Sequence, residues 1–90
     1  MGTAVIIMKF MPESPSSDLG KIRTIANDIM IKEGAKNISF EEKPIAFGLK
    51  SLHMKFDLDE NKGTDLVESL LSNIPETSSV SLEDYRRAFG

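Results

Sequence analysis

The sequence predicts an α+β fold of order strand, helix, strand, strand, helix, strand, with a four-stranded antiparallel sheet carrying both helices on one face. Three observations carry that expectation. Apolar residues recur at period two in four stretches, they recur at three- and four-residue spacing in two others, and Pro, Gly and Ser punctuate the boundaries between them.

In the first stretch Ala4, Ile6, Met8 and Phe10 alternate with Thr3, Val5, Ile7 and Lys9, and both rows stay apolar up to Lys9. A strand apolar on both faces belongs in the middle of a sheet. Met11 to Asp18 holds two prolines and three serines and reads as a loop, in which Ser17 or Asp18 is placed to cap a helix. Leu19, Ile22, Ile25, Ala26 and Ile29 then share one helical face, with Lys21, Arg23, Asn27 and Asp28 opposite, until Gly34 supplies the left-handed residue that ends helices.

From Asn37 the period changes to two, with Ile38 and Phe40 alternating with Ser39 and Glu41 as far as Pro44. A third strand follows a short connection around Ile45 to Phe47. It sets Lys50, Leu52, Met54 and Phe56 on one side and Ser51, His53, Lys55 and Asp57 on the other. Asp57 to Thr64 reads as a polar loop. The second helix presents Leu66, Val67, Leu70, Leu71 and Ile74, has Asp65 and Glu68 spaced as a capping box, and stops at Pro75. Val80 and Leu82, alternating with Ser79, Ser81 and Glu83, make a short last strand before the segment Tyr85 to Gly90. Right-handed crossovers, each joining a strand to a parallel neighbour, put both helices on the same side, the ferredoxin-like arrangement. The second strand then lies at an edge, where Glu41, Glu42, Lys43 and Pro44 discourage edge-to-edge pairing.

Ninety residues give room for one core and no second domain, so residues 1–90 are expected to form a single unit. A formal charge of −3 and a pI near 5.1 disfavour a phosphate-backbone reader, which relies on concentrated Lys and Arg. The absence of cysteine removes disulfides, thiolate nucleophiles and thiolate metal sites. No secretory leader or membrane-spanning run is evident, which points to the cytoplasm. Met1-Gly2 invites myristoylation, but Ile6 stands where that motif needs Ser or Thr.

Little else carries chemistry. His53, the single histidine, has no partner signature for a triad or a metal centre and reads as a surface residue. Asp57-Leu58-Asp59-Glu60-Asn61 is rich in oxygen ligands, but its carboxylates are out of register with a calcium loop. The glycines never cluster into a phosphate cradle, so no metal, cofactor or catalytic residue is assigned. An RNA module of this topology would display aromatics on the open faces of its central strands, where this chain places Ile7 and His53. An acylphosphatase-type enzyme would need an arginine-bearing phosphate loop where this chain has Met11-Pro12-Glu13-Ser14-Pro15.

Two stretches are distinctive: Lys9-Phe10-Met11-Pro12-Glu13-Ser14-Pro15 and Glu42-Lys43-Pro44-Ile45-Ala46-Phe47-Gly48-Leu49. With the element order, the length, Gly63-Thr64-Asp65 and the Arg-Arg ending, they make the chain closely resemble the archaeal translation elongation factor 1-beta family, from Met1 to the C-terminus. The resemblance implies a guanine-nucleotide exchange factor of protein biosynthesis, with a ferredoxin-like fold and no covalent step of its own. Its partner is implied to be elongation factor 1-alpha, the GTPase that carries aminoacyl-tRNA to the ribosome.

Residue by residue, the resemblance matches Phe47 to an aromatic that, in the eukaryotic factor, packs on the second domain of the GTPase. Pro44, Ile45 and Gly48 flank it. The alternative from the residues alone is that Phe47 folds beneath the hairpin into the core. The eukaryotic factor also uses a lysine near its C-terminus at the magnesium and phosphate site. Here Arg86, Arg87 and Phe89 stand instead, with no lysine after Lys62; the arginines either compete for phosphate or a carboxylate, or form a solvated tail. The reading from a different class is a small RNA- or metabolite-binding module of the same fold.

Overall fold

The computed structural model describes residues 2–89, Phe89 by its backbone alone. The elements are β1 (Thr3–Pro12), α1 (Leu19–Lys32), β2 (Lys36–Pro44), β3 (Lys50–Asp59), α2 (Thr64–Leu71) and β4 (Thr77–Phe89), with a 3-10 turn, Ala46–Gly48, between β2 and β3. They form one sheet of order β2-β3-β1-β4 in which every neighbouring pair is antiparallel, the ferredoxin-like βαββαβ fold.

One connection differs from the sequence expectation. The strands joined through each helix run parallel but are not neighbours, because the β2–β3 hairpin folds β3 back between β1 and β2, and β1 separates β3 from β4. The two central strands are therefore β1 and β3. One row from each is buried against the helices: Ala4, Ile6, Met8 and Phe10 from β1, and Leu52, Met54, Phe56 and Leu58 from β3. Ile22, Ala26 and Met30 of α1 and Val67 and Leu71 of α2 close over them. Full burial of each large apolar side chain contributes about 1.5–3 kcal/mol.

Asp18 is the residue that caps α1, its carboxylate accepting from the Lys21 amide at 3.1 Å. Gly34, at φ 89°, turns the chain so that the Ala35 amide donates back to the Met30 carbonyl at 2.9 Å. Arg23 reaches from α1 to Glu42 at 3.2 Å and lies 5.5 Å from the centre of the Phe40 ring, fastening the helix to edge strand β2.

Three expectations need correction. α2 is capped by Gly63 with no side-chain bond, so Asp65 acts on the helix dipole from the first turn instead. Asp57, Leu58 and Asp59 belong to β3 rather than a loop; Leu58, 2% exposed, continues the buried row, and Asp57 accepts from Asn37 Nδ2 at 2.7 Å. β4 runs for 13 residues where a short strand was expected, because register shifts in its pairing with β1 break the alternation that would have marked it. Among the described residues no helix is long and apolar enough to cross a membrane.

Candidate partner interface

At one end of the sheet, Pro44 pairs with Lys50 and the chain turns back in a tight loop. The Ile45 amide donates to the Leu49 carbonyl at 2.8 Å and the Leu49 amide to the Ala46 carbonyl at 3.2 Å, tying off the tip. Inside that closure Phe47 and Gly48 take consecutive left-handed conformations, at φ 62° and 77°. Phe47 is 93% exposed, so it does not fold into the core, and Ile45 beside it is partly exposed. A left-handed conformation costs a residue with a Cβ about 1–2 kcal/mol, and Phe47 recovers none of it by intramolecular burial. The proline-rich loop backs this tip: a Cβ on Gly48 would stand 3.9 Å from that of Pro15. A cleft of about 280 Å³ between the two is lined by Pro12, Pro15, Leu19, Glu42, Gly48 and Lys50. The two distinctive sequence segments thus meet in space.

Arg86 and Arg87 lie at the other end. They are not a loose tail, since both are paired within β4: Arg86 opposite Val5, Arg87 opposite Ala4. Ala4 is a core residue, so Arg87 takes the helix side of the sheet and Arg86 the open side. Arg87 makes a two-point contact with Glu60, at 2.7 and 3.2 Å. The Glu60 carboxylate lies over Gly2, where a Cβ would come within 2.6 Å of it. Arg86 bonds Asp84 at 3.1 Å. Both guanidinium-bearing side chains are mostly exposed; the single bond to Asp84 holds Arg86 weakly, at ~1 kcal/mol or less, whereas the two-point contact with the largely buried Glu60 carboxylate holds Arg87 more firmly. Phe89 ends β4 opposite Thr3; its side chain lies outside the described residues.

The expected contact residues therefore divide into two groups. Arg87 pairs with Ala4, which pairs with Leu58, while Pro44 pairs with Lys50. Eight residue steps along β3, from Lys50 to Leu58, separate those levels, roughly 26 Å at strand rise, in a molecule whose longest extent is 42 Å.

His53 corrects the sequence reading. It lies on the open face as expected but is only 7% exposed. Its Nε2 is 2.7 Å from Ser51 Oγ, which also lies 3.4 Å from the Lys43 carbonyl oxygen, and its Nδ1 bonds the Glu83 carboxylate. Ser, His and Glu stand in the contact order of a nucleophilic relay, but Ser51 is 1% exposed within the sheet, beyond reach of a substrate carbonyl. The alternation of β3 already placed Ser51 and His53 together. Glu83 was hidden because it comes from 30 residues away, out of a bulge in β4. The open face offers no stacking platform among the described side chains: Phe10, Phe40, Phe56 and Tyr85 pair with residues of the helix side, and Phe47 is at the hairpin tip.

The model of the EF-1 guanine nucleotide exchange domain matches residues 5–87. Elongation factor 1-beta of Methanobrevibacter smithii is 36% identical over 88 residues, covering 97% of this chain and 98% of its own length. Its namesake from Methanothermobacter thermautotrophicus is 38% identical with the same coverage. That of Metallosphaera sedula is 38% identical over 82 residues, 87% of each chain.

Proposed function

This chain belongs to the EF-1 guanine nucleotide exchange domain family, and from that membership we propose that it promotes exchange of GDP for GTP on elongation factor 1-alpha, in the cytoplasm, with residues 1–90 acting as one exchange domain. A role in nucleotide exchange during translation elongation comes with the family; the GTPase partner and the contact residues are our reading. The observation that carries it is Phe47, a 93% exposed aromatic held in a strained conformation at the tip of a tied-off hairpin. A large ring with few rotamers, already presented to solvent, has the properties of an interface anchor.

In this reading Phe47, flanked by Pro44, Ile45 and Gly48, seats on one domain of the GTPase. The Arg86, Arg87 and Phe89 end of β4 reaches its nucleotide side, where a guanidinium competes for phosphate or for a magnesium-ligating carboxylate. No bond is made or broken in the substrate. By linkage, a factor that weakens GDP binding is itself bound less tightly when GDP is present. Each tenfold gain in release rate requires a barrier lower by about 1.4 kcal/mol.

The test is release of fluorescent GDP from purified elongation factor 1-alpha as the chain is titrated in. Saturable acceleration is expected, and no acceleration at micromolar chain refutes the proposal.

A further inference from the structure

β4 contains a bulge whose position decides what its last residues can reach. Met8 pairs with Leu82 and Ile7 with Asp84, so Glu83 is an extra residue without a place opposite β1. Before it, Leu82 shares the side of buried Met8; after it, Tyr85 and Arg87 share the side of Ile6 and Ala4, while Asp84 and Arg86 face out with Ile7 and Val5. Unbroken pairing from Leu82 would instead set Asp84 opposite Ile6, Arg86 opposite Ala4 and Arg87 opposite Thr3. A one-residue slip sends every later side chain to the other face. The two arginines would change places, and Asp84 would turn toward the core.

The extra residue is the one that His53 holds. Glu83 takes the Nδ1 of His53 on β3, reaching across β1, and Nε2 is steadied by Ser51 Oγ at 2.7 Å. Lys9 on β1 and Glu41 on β2 stand opposite His53, and Lys43 and Lys55 line the same 130 Å³ recess. Glu83 is thus fixed at one position by a neighbour that belongs to neither of the paired strands.

Resting on the exchange role proposed above, we propose that His53, by fixing Glu83 in the bulge, sets the register of residues 84–88 and so decides which face of the sheet Arg86 and Arg87 present. His53 is a positioning residue; the arginines make the contact.

The experiment uses the full chain in two readouts. By NMR, His53→Ala and Glu83→Ala shift the amides of residues 84–88 and lower their hydrogen-exchange protection about tenfold or more, leaving 44–49 and 77–82 unchanged. Glu83→Gln, which keeps an acceptor of the same length, restores both. In GDP release, His53→Ala lowers the maximal rate about tenfold with the half-saturating concentration within about twofold. That loss disappears in a chain already carrying Arg86→Ala and Arg87→Ala. Shifts spread evenly over all four strands, or absent from 84–88, overturn the proposal, as does an unchanged maximal rate when the unmodified chain is active. If no version accelerates release while the amide shifts appear as expected, the exchange role falls and the register-setting role stands. Should His53→Ala fail to fold, Glu83→Ala, with its side chain 33% exposed, carries the same comparison.

Discussion

Replacing Phe47 with alanine removes a ring that is 93% exposed and touches no core residue, so its effects on folding and on partner binding should separate cleanly. The backbone at φ 62° is unchanged in demand, because alanine also carries a Cβ. The change in stability should stay within about 0.5 kcal/mol, the range of surface substitutions. Binding is different. Seating a phenylalanine side chain buries about 150 Å² or more, which at ~25 cal/mol per Å² sets an upper figure of about 4 kcal/mol. Ordering costs and incomplete burial reduce this to about 2 kcal/mol, the threshold of a hot spot. The half-saturating concentration in GDP release should then rise about 30-fold, with the maximal rate retained at saturating chain. Urea denaturation and a titration on the same preparation provide both numbers. A stability loss above about 1.5 kcal/mol would mean that the ring is packed in solution, and an unchanged half-saturating concentration would remove it from the interface.

Asp18→Ala deletes the carboxylate that caps α1 and should cost about 1 kcal/mol in urea denaturation, with Asp18→Ser recovering most of it. Met30→Ala opens a cavity in the core from a residue with no exposed surface and should cost about 2–5 kcal/mol, a large share of the total for a domain this small, again read in urea. Gly48→Ala introduces no clash, since Pro15 is 3.9 Å away, but places a Cβ at φ 77°; stability should fall by about 1 kcal/mol, and an unchanged midpoint would contradict the left-handed turn.

Much of the fold was legible because the signals are local. The rows Ala4-Ile6-Met8-Phe10 and Leu52-Met54-Phe56 name their buried faces by alternation, and Asp18 and Gly34 mark the ends of α1 by their own chemistry. What escaped depended on partners far along the chain. β4 looked short because the polar doublet Glu83-Asp84 interrupts its period-two row, and such a doublet is the trace a bulge leaves; that trace was available. His53 looked solvated because nothing near it in sequence indicates that Glu83 closes over it. The direction of Phe47 rested on two successive left-handed residues, of which only Gly48 announces itself by type. The candidate contact residues were named from family likeness, and their division between two ends follows from the hairpin geometry and from β4 running antiparallel to β1.

That division gives the length of β3 a meaning of its own. If both poles contact the partner as proposed, a stiff sheet works as a gauge. Once the aromatic is seated, the second contact becomes intramolecular, with an effective concentration set by how well the two spacings agree. Inserting two residues into each of the four strands would lengthen the sheet by about 7 Å while leaving every contact residue intact. Such a chain should bind through either pole alone and lose the advantage of both, so that spacing would be under the same constraint as the residues it separates.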